Sequence, residues 1–258
     1  MIKEMKILTV IGARPQFIKA SAVSRALARH PGVEEVLLHT GQHFDANMSE
    51  VFFRQMEIPA PRYNLGIASL GHGAMTGRML EAIEGVILAE MPDQVLVYGD
   101  TNSTLAGALA ARKLHVPVAH VEAGLRSFNM RMPEEINRIL TDRVSDMLFC
   151  PTPQAVENLR REGYDQFDAE VVLTGDVMLD AAMHFSSLAV PPQGGLPEDF
   201  ILVTMHRAEN TDDPARLGGI LKALATLAES YDVVFPVHPR TSGMHGKNDI
   251  IAFRKRSE

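Results

Sequence analysis

Carboxylate side chains directly follow two strand-like runs of the sequence. Asp100 comes after the largely apolar residues 94–99, and Glu122 comes after residues 116–121. Because the carboxyl ends of parallel strands meet at one edge of a sheet, we expect both side chains at a shared cleft. Carboxylates that converge in a cleft repel one another. This repulsion raises the pKa of at least one of them and suits acid and base catalysis near neutral pH.

Two further acids stand in the first turn of a helix that Pro133 is expected to open. Glu134 and Glu135 would complement the helix dipole there, and Glu134 is spaced to pair with Arg138 one turn further on. The same position would also let one of these acids face the cleft as a third carboxylate. The spacing leaves both interpretations open.

Basic residues are also placed at predicted strand ends. The turn at residues 12–16 leads into a helix N-terminus, which favours an anion. Arg14 on this turn and Lys19 on the helix could contact a diphosphate. Alternatively, Arg14 pairs with a carboxylate and Lys19 stays in solvent.

Three more chargeable residues follow strand-like runs, namely Asp176, His206 and His238.

The sequence predicts neither a cofactor nor a metal ion. Residues 71–77 read GHGAMTG after a loop-like stretch, a weak match to the dinucleotide-binding fingerprint, so NAD binding is not expected. His39 and His43 lie four residues apart with Gly41 between them, which does not resemble a zinc helix. The single cysteine, Cys150, excludes a disulfide within the chain.

Strand-like and helix-period segments alternate along most of the chain, which predicts a doubly wound α/β fold. We expect strands at residues 6–12, 33–40, 94–99, 116–121, 147–150, 171–174, 201–205 and 233–237. Thr101 is expected to cap a helix that runs to about residue 114. The helix after Pro15 should bury Ile18, Ala22, Val23, Ala26 and Leu27, and the helix after Pro133 should bury Ile136, Ile139, Leu140 and Val144.

Composition restricts the class of protein. The 258 residues carry 25 Lys and Arg against 32 Asp and Glu, a net charge of −7, which disfavours nucleic acid or an anionic membrane as a main partner. No run approaches the ~18 consecutive apolar residues of a membrane span. The apolar residues 7–13 are too few for a signal-peptide core. A cytoplasmic protein is expected.

Proline and glycine crowd into residues 188–199, which predicts a linker. Residues 1–187 would form the first domain, and residues 200–258 would begin a second one. The last stretch, residues 240–258, carries five Lys or Arg against two acids. It shows no strand pattern and is predicted to be a basic tail.

Six motifs occur in a characteristic order: GARPQFIK at 12–19, TGQH at 40–43, GDTNS at 99–103, HVEAGLR at 120–126, MPEEINR at 132–138 and MHRAEN at 205–210. As an ordered set over residues 5–240, they resemble the non-hydrolysing UDP-N-acetylglucosamine 2-epimerases. The SFNMR segment at 127–131 resembles the corresponding segment of relatives that act on UDP-2,3-diacetamido-2,3-dideoxy-glucuronic acid.

This resemblance implies two Rossmann-like domains of the GT-B type with parallel sheets, the second of them incomplete in this chain. The family interconverts UDP-GlcNAc and UDP-ManNAc without NAD or metal. It eliminates UDP to give a 2-acetamidoglucal and then adds UDP back. A homodimer is also implied.

The motif match assigns roles to individual residues. It makes Asp100, Glu122, Glu134 and His206 catalytic, with the three carboxylates as acid and base. It places Arg14, Lys19, Arg126, Arg138 and His238 at the substrate, with His206 also near the diphosphate and sugar.

Other functions remain open at this point. UDP-GlcNAc is the first candidate substrate, and the diacetamido-glucuronic acid sugar is the alternative. A nucleotide-sugar glycosyltransferase of the same fold is a second class. An inactive truncated homologue is a third, since family members continue through a nucleotide-gripping segment that is not found here. Regulation by a second substrate molecule is not expected, because the Gln-x-x-Gln segment of some members reads Gln42-His43-Phe44-Asp45.

Overall fold

The computed structural model describes residues 4–42, 53, 55–190, 195–205, 208–236 and 250–253. The chain divides into two compact units, Met1–Leu188 and Ala189–Glu258.

Within the described part of the first unit, seven strands form one parallel sheet in the order β3-β2-β1-β4-β5-β6-β7. The strands are β1 (Met5–Ile11), β2 (Val33–His39), β3 (Tyr63–Asn64), β4 (Gln94–Tyr98), β5 (Val118–Val121), β6 (Met147–Cys150) and β7 (Glu170–Leu173). The helices are α1 (Arg14–Leu27), α2 (His72–Glu90), α3 (Asn102–Lys113), α4 (Pro133–Val144), α5 (Pro153–Arg161) and α6 (Val177–Ser186). A short 3₁₀ helix, Tyr164–Gln166, follows α5.

The direction in which the chain adds strands reverses between β1 and β4. At such a switch point the loops that follow the two strands diverge and leave a crevice beyond the carboxyl ends. The crevice therefore lies between the turn after Ile11 and the turn after Tyr98.

The central strands are buried on both faces, as their continuous apolar runs predict. One face of β1 and β2 packs Leu8, Val10, Val36 and Leu38 against Met79 and Ile83 of α2 and the alanines of α3. On the other face, Ile7, Ile11, Leu37, Leu96 and Tyr98 form a second core with Phe17 and Ala20 of α1. The two cores hold the sheet rigid below the crevice.

The predicted strands of this unit are confirmed to within two residues at each end. The predicted buried face of α1 is correct in part, since Val23 and Leu27 pack against the second core. Ala26 is exposed, whereas Phe17, Ala20, Ser21 and Ser24 are buried. The two serine side chains can face the core because their hydroxyl groups form hydrogen bonds there. The Ser21 hydroxyl donates to the Ile18 carbonyl at 2.7 Å, for example.

The predicted inner face of α4 is wrong for two of its four residues, whereas Val144 packs against the first core. Ile136 and Leu140 are 40% and 44% exposed, respectively. The buried residues of this helix are instead polar, namely Glu135, Asn137, Thr141 and Asp142. Periodicity predicts that the apolar stripe of this helix is buried. The polar stripe is buried instead, because Glu135 and Asn137 form hydrogen bonds with neighbouring loops.

The second unit contains β8 (Ile201–Leu202), α7 (Ala208–Thr211), α8 (Pro214–Leu227), β9 (Val233–Pro236) and β10 (Ile250–Phe253). Strand β8 pairs with β9 in parallel, as predicted. Strand β10 pairs with β9 antiparallel, so the prediction of a strandless basic tail at 240–258, and of a purely parallel second sheet, is wrong. Among the described residues, no helix is both long enough and apolar enough to cross a membrane.

Candidate active site

The candidate site lies at the switch point of the first unit. Strand β4 pairs with β1 on one side and with β5 on the other. The residues that follow these three strands therefore share one edge of the sheet. They include Lys19 in α1, Asp100 after β4 and Glu122 after β5.

An ion pair joins the first and third of these loops. Nζ of Lys19 donates to Oε2 of Glu122, and both side chains are largely buried. Gly99 lies directly beside the pair with φ +63°. A Cβ atom at this position would stand 3.0 Å from Lys19 Nζ and 3.2 Å from Glu122 Oε2, so a side chain here would crowd the pair.

The backbone of Glu122 is held in an uncommon conformation. Its φ is +72°, in the left-handed region that costs a non-glycine residue about 1–3 kcal/mol. The N–H groups of Glu122 and Ala123 both donate to the Phe149 carbonyl at 3.1 Å. These bonds to β6 over-determine the turn and aim the Glu122 carboxylate at Lys19.

A second ion pair holds Asp100. One guanidinium nitrogen of Arg138 donates to Asp100 Oδ2, and the other donates to Glu135 Oε2 at 2.8 Å. Arg138 therefore bridges a strand-end carboxylate and a buried helix carboxylate. The expected pairing of Glu134 with Arg138 is wrong, since the neighbouring Glu135 takes that position and Glu134 is exposed.

Glu135 is itself tied to the loop before its helix. Its carboxylate accepts bonds from the Ser127 N–H at 2.9 Å, the Ser127 hydroxyl at 2.8 Å and the Phe128 N–H at 2.8 Å. Burial raises the pKa of Glu135, but these bonds and the Arg138 charge outweigh it and leave the pKa below its usual value. Glu135 is thus an anionic anchor for the 127–131 segment.

Two backbone donors of the turn at residues 12–16 are already bonded within the protein. Oε1 of Gln16 accepts from the N–H groups of Gly12 and Ala13 at 2.8 and 2.9 Å. Nε2 of Gln16 donates to the Tyr98 carbonyl at 2.9 Å and to Thr104 Oγ1. These two donors are therefore occupied by the Gln16 side chain, and Arg14 begins α1 beside them.

A hydroxyl and amide cluster packs under this turn. Thr40 Oγ1 lies 2.8 Å from Ser103 Oγ, and Gln42 Oε1 accepts from the hydroxyl and N–H of Ser103 at 2.7 and 3.0 Å. A Cβ atom on Gly12 would come within 1.9 Å of Thr40 Oγ1 and 2.3 Å of Ser103 Oγ. Only glycine fits here, because the neighbouring atoms already fill the space.

Asn137 also supports the Asp100 turn. Its Nδ2 donates to the Asp100 carbonyl at 2.9 Å and to Asn102 Oδ1 at 3.3 Å. Asn102 in turn contacts the His72 ring at 3.2 Å. The sequence prediction missed the roles of Gln16 and Asn137. The signal that could have found Asn137 is the polar stripe that it forms with Thr141 on an otherwise amphipathic helix.

Arg126 is not placed to touch a substrate, which corrects the expectation from the motif match. Its side chain is 1% exposed. It donates to Asp142 Oδ2, to the Leu125 carbonyl and to both oxygens of Glu162, each at 2.7 Å. Four of the five N–H groups of its guanidinium therefore donate hydrogen bonds within the protein.

Several other predicted residues have different outcomes. Asp176 caps α6 by accepting from the Met178 N–H at 2.8 Å, which is a structural role. His206 and His238 lie outside the described residues. Cys150 is buried, and burial raises the pKa of its thiol to about 12. Across the part of the chain that the structure describes, no group of three His, Cys, Asp or Glu could hold a metal ion.

Taken together, the site presents two carboxylate–cation pairs at the ends of adjacent strands. The predicted repulsion among three converging carboxylates is replaced by separate ion pairs for Asp100 and Glu122. An ionised carboxylate can accept a proton, and a lysine or arginine beside it can stabilise a developing negative charge. The arrangement is suited to moving a proton to and from a polar substrate.

Comparisons with known proteins agree with this arrangement. The family profile described as UDP-N-acetylglucosamine 2-epimerase matches residues 25–255. UDP-2,3-diacetamido-2,3-dideoxy-D-glucuronate 2-epimerase from Pseudomonas aeruginosa is 63% identical over 93% of this chain and 68% of its own length. UDP-N-acetylglucosamine 2-epimerase from Methanocaldococcus jannaschii is 44% identical over 92% of this chain and 67% of its own length. The chain thus spans about two thirds of the length of these relatives.

Solved structures give the same result. The M. jannaschii UDP-GlcNAc 2-epimerase in complex with UDP-GlcNAc and UDP superposes with a TM-score of 0.82 at 43% identity, covering 93% of this chain and 67% of that chain. The Neisseria meningitidis UDP-GlcNAc 2-epimerase bound to UDP-GlcNAc also gives 0.82, at 32% identity and 92% and 67% coverage. These likenesses confirm the predicted GT-B type of α/β fold. The chain belongs to the UDP-N-acetylglucosamine 2-epimerase family.

Proposed function

We propose that this protein interconverts the C2 epimers of a UDP-sugar. The observation that carries the proposal is the pair of strand-end carboxylates, Asp100 and Glu122, each bound to a cation at the switch point of the sheet. Family membership supports it, as do the names of the relatives, which are 2-epimerases of UDP-sugars. The M. jannaschii relative was solved with UDP-GlcNAc and UDP bound.

The chemistry explains why such a site needs both carboxylates and cations. The C2 proton of the sugar is not acidic, so its simple removal and return would face a large barrier. Elimination avoids this barrier. A carboxylate takes the C2 proton while the C1–O bond breaks, and the bonding electrons leave with UDP. The product is a 2-acetamidoglucal with a C1–C2 double bond.

Re-addition forms the C1–O bond and the C2–H bond that the first step broke. UDP attacks C1, and C2 receives a proton on the opposite face of the ring from a second acid. Because one carboxylate cannot reach both faces, two proton-carrying groups are required. Glu122, paired with Lys19, and Asp100, paired with Arg138, are proposed for these two roles. One of them starts as the carboxylate that takes the C2 proton, and the other starts as the acid that returns one.

The remaining predicted residues keep proposed roles. Glu134 is exposed in the first turn of α4 and is a third candidate for proton transfer. Arg14, together with His206 and His238, is proposed to contact the diphosphate and sugar. A homodimer and a cytoplasmic location stay predictions from the family resemblance and the composition.

For the substrate, we favour UDP-2,3-diacetamido-2,3-dideoxy-glucuronate, with UDP-GlcNAc as the second candidate. The 63% identity to the P. aeruginosa enzyme supports the first. The 127–131 segment, which is similar to that branch, is anchored by Glu135, and Arg138 bonds Glu135 and Asp100 together. The segment is thus coupled to a proposed catalytic carboxylate. Synthesis of a cell-surface polysaccharide would consume the product.

Proton NMR of the purified chain with each UDP-sugar tests this proposal. The expected result is a second anomeric signal from the C2 epimer, larger with the diacetamido-glucuronate than with UDP-GlcNAc. Transfer of the sugar to an acceptor without epimer would favour a glycosyltransferase. No change with either sugar would contradict the proposal and favour an inactive homologue.

A further inference from the structure

His120 occupies a position that the proposed reaction does not use. It lies in β5, two residues before Glu122, and its side chain is completely buried. Each ring nitrogen faces one oxygen atom. Nδ1 is 2.6 Å from Asp142 Oδ1, and Nε2 is 2.7 Å from the Gly99 carbonyl oxygen.

These two partners fix the protons of the ring. A carbonyl oxygen can only accept a hydrogen bond, so Nε2 must carry a proton. Asp142 Oδ2 accepts from the Gly124 N–H at 3.1 Å and from Arg126 at 2.7 Å, which stabilises this residue as a carboxylate. A carboxylate is also only an acceptor, so Nδ1 must carry a proton as well.

The surrounding charges are consistent with a positively charged ring. Asp142 lies between His120 and Arg126, and Arg126 is balanced on its other side by Glu162. Two more titratable groups, Cys150 and Tyr164, interact with Asp142 electrostatically. Burial raises the pKa of both, to about 12 for Cys150, so neither adds a charge near neutral pH. Two cations and two anions therefore alternate along the cluster.

The cluster connects the two loops that carry the carboxylates. Gly99, whose carbonyl binds the ring, directly precedes Asp100. Gly124, whose N–H binds Asp142, follows Glu122 by two residues. One buried His–Asp pair thus holds both strand ends at fixed positions.

We propose that His120, doubly protonated against Asp142, is a positioning residue that clamps the Gly99–Asp100 and Glu122–Gly124 turns together. The catalytic consequence rests on the proposed function, but the clamp does not. It acts through the backbone and touches no substrate. Its loss would displace both carboxylates at once, which affects the proton transfers more than substrate binding.

Two substitutions test the clamp, and a third serves as the control. Asp142→Asn keeps the shape but replaces the anion, so the ring is expected to lose its second proton. His120→Gln keeps a donor that can reach the Gly99 carbonyl but removes the donor to Asp142. Glu162→Gln weakens the far end of the same cluster and leaves the bonds to Gly99 and Gly124 in place.

The first two measurements need no substrate. In nitrogen-15 NMR of the histidine rings, the signals missing from His120→Gln identify His120. In the unsubstituted protein both of its nitrogens should carry a proton, as their two acceptors require. In hydrogen exchange followed by mass spectrometry, both substitutions should speed exchange about tenfold in residues 99–103 and 122–126. Glu162→Gln should not.

The third measurement is kinetic. Both substitutions should lower kcat about tenfold or more while KM stays within about threefold, and Glu162→Gln should leave kcat unchanged. A ring with only one protonated nitrogen, or unchanged exchange in the two segments, would overturn the clamp. If the unsubstituted protein epimerises neither sugar, the proposed function fails, while the NMR and exchange results still decide on the clamp.

Discussion

The Lys19 ammonium binds the Glu122 carboxylate across the Gly99 turn, although the two residues are 103 positions apart in the chain. Lys19 comes from the helix after β1, and Glu122 comes from the turn after β5, on the opposite side of β4. The pair therefore spans the switch point of the sheet. We interpret it as a contact that orients the Glu122 side chain for proton transfer.

Replacing Glu122 with glutamine should remove the proton acceptor and keep the shape of the side chain. We expect kcat to fall at least about 100-fold, since general acid–base groups contribute this much or more. Epimer formation measured by NMR checks the prediction. Glu81→Gln, an exposed change on α2, is the matched control and should keep full activity. Retained activity in Glu122→Gln would remove Glu122 from the mechanism.

Lys19 and Glu122 should show energetic coupling in the folded protein. Lys19→Met leaves the Glu122 charge without its cation, and Glu122→Gln leaves the Lys19 charge without its anion. The double variant should therefore be more stable than the sum of the two changes predicts, by about 1 kcal/mol. Urea unfolding of the four proteins gives this coupling. Additive changes would mean that the ion pair contributes nothing to stability.

Arg126 should matter for stability rather than for substrate binding. Removing one partner of a buried ion pair costs about 3–5 kcal/mol, and Arg126→Lys, which keeps the charge but loses the two-pronged contact with Glu162, should cost part of that. We expect a lower unfolding midpoint and an unchanged KM for the UDP-sugar. An increase in KM without a loss of stability would restore the expectation that Arg126 touches the substrate.

Glu35 should make the protein less stable as the pH rises. Burial raises its pKa, and hydrogen bonds from Thr9 and Ser24 oppose the rise only partly. The folded protein therefore binds this proton more tightly than the unfolded chain. Its contribution is fully present below the unfolded pKa, near 4.5, and is lost as the pH rises through the raised folded pKa.

Glu35→Gln isolates this effect, because an amide oxygen can still accept from Thr9 and Ser24. The free energy of unfolding of the variant, relative to the original protein, should increase as the pH rises above about 4.5 and then level off. Denaturant unfolding over a pH series measures it. Glu4→Gln, at an exposed position, is the control. A difference that does not change with pH would contradict the raised pKa.

The sequence was sufficient to predict the sheet and the edge at which the site lies. Largely apolar segments mark β1 and β4, and Val36, Leu37 and Leu38 mark the buried end of β2, because these residues are buried on both faces of the sheet. Asp100 and Glu122 follow such runs, so their place at a common edge follows from parallel topology. His120 lies in the run before Glu122, and it is buried.

The partners of these residues could not be predicted. Glu134 and Glu135 are adjacent, and which of them binds Arg138 depends on how α4 rotates. That rotation is set by the bonds from Glu135 and Asn137 to distant loops, rather than by the apolar stripe of Ile136 and Leu140. Likewise, the sequence does not show that the Gln16 side chain accepts from the N–H groups of Gly12 and Ala13. Such contacts depend on how the elements pack against one another, which local periodicity does not encode.

Exchange of the C2 hydrogen with solvent tests the central claim most directly. The protein is incubated in heavy water with UDP-2,3-diacetamido-2,3-dideoxy-glucuronate, and separately with UDP-GlcNAc, and the C2 position is followed by NMR. Elimination and re-addition through two carboxylates predicts that deuterium enters C2 in both epimers, and that Glu122→Gln abolishes epimer formation and the incorporation that accompanies it. Epimer that forms while retaining its original C2 hydrogen would contradict the mechanism, as would epimer formation that persists in the variant.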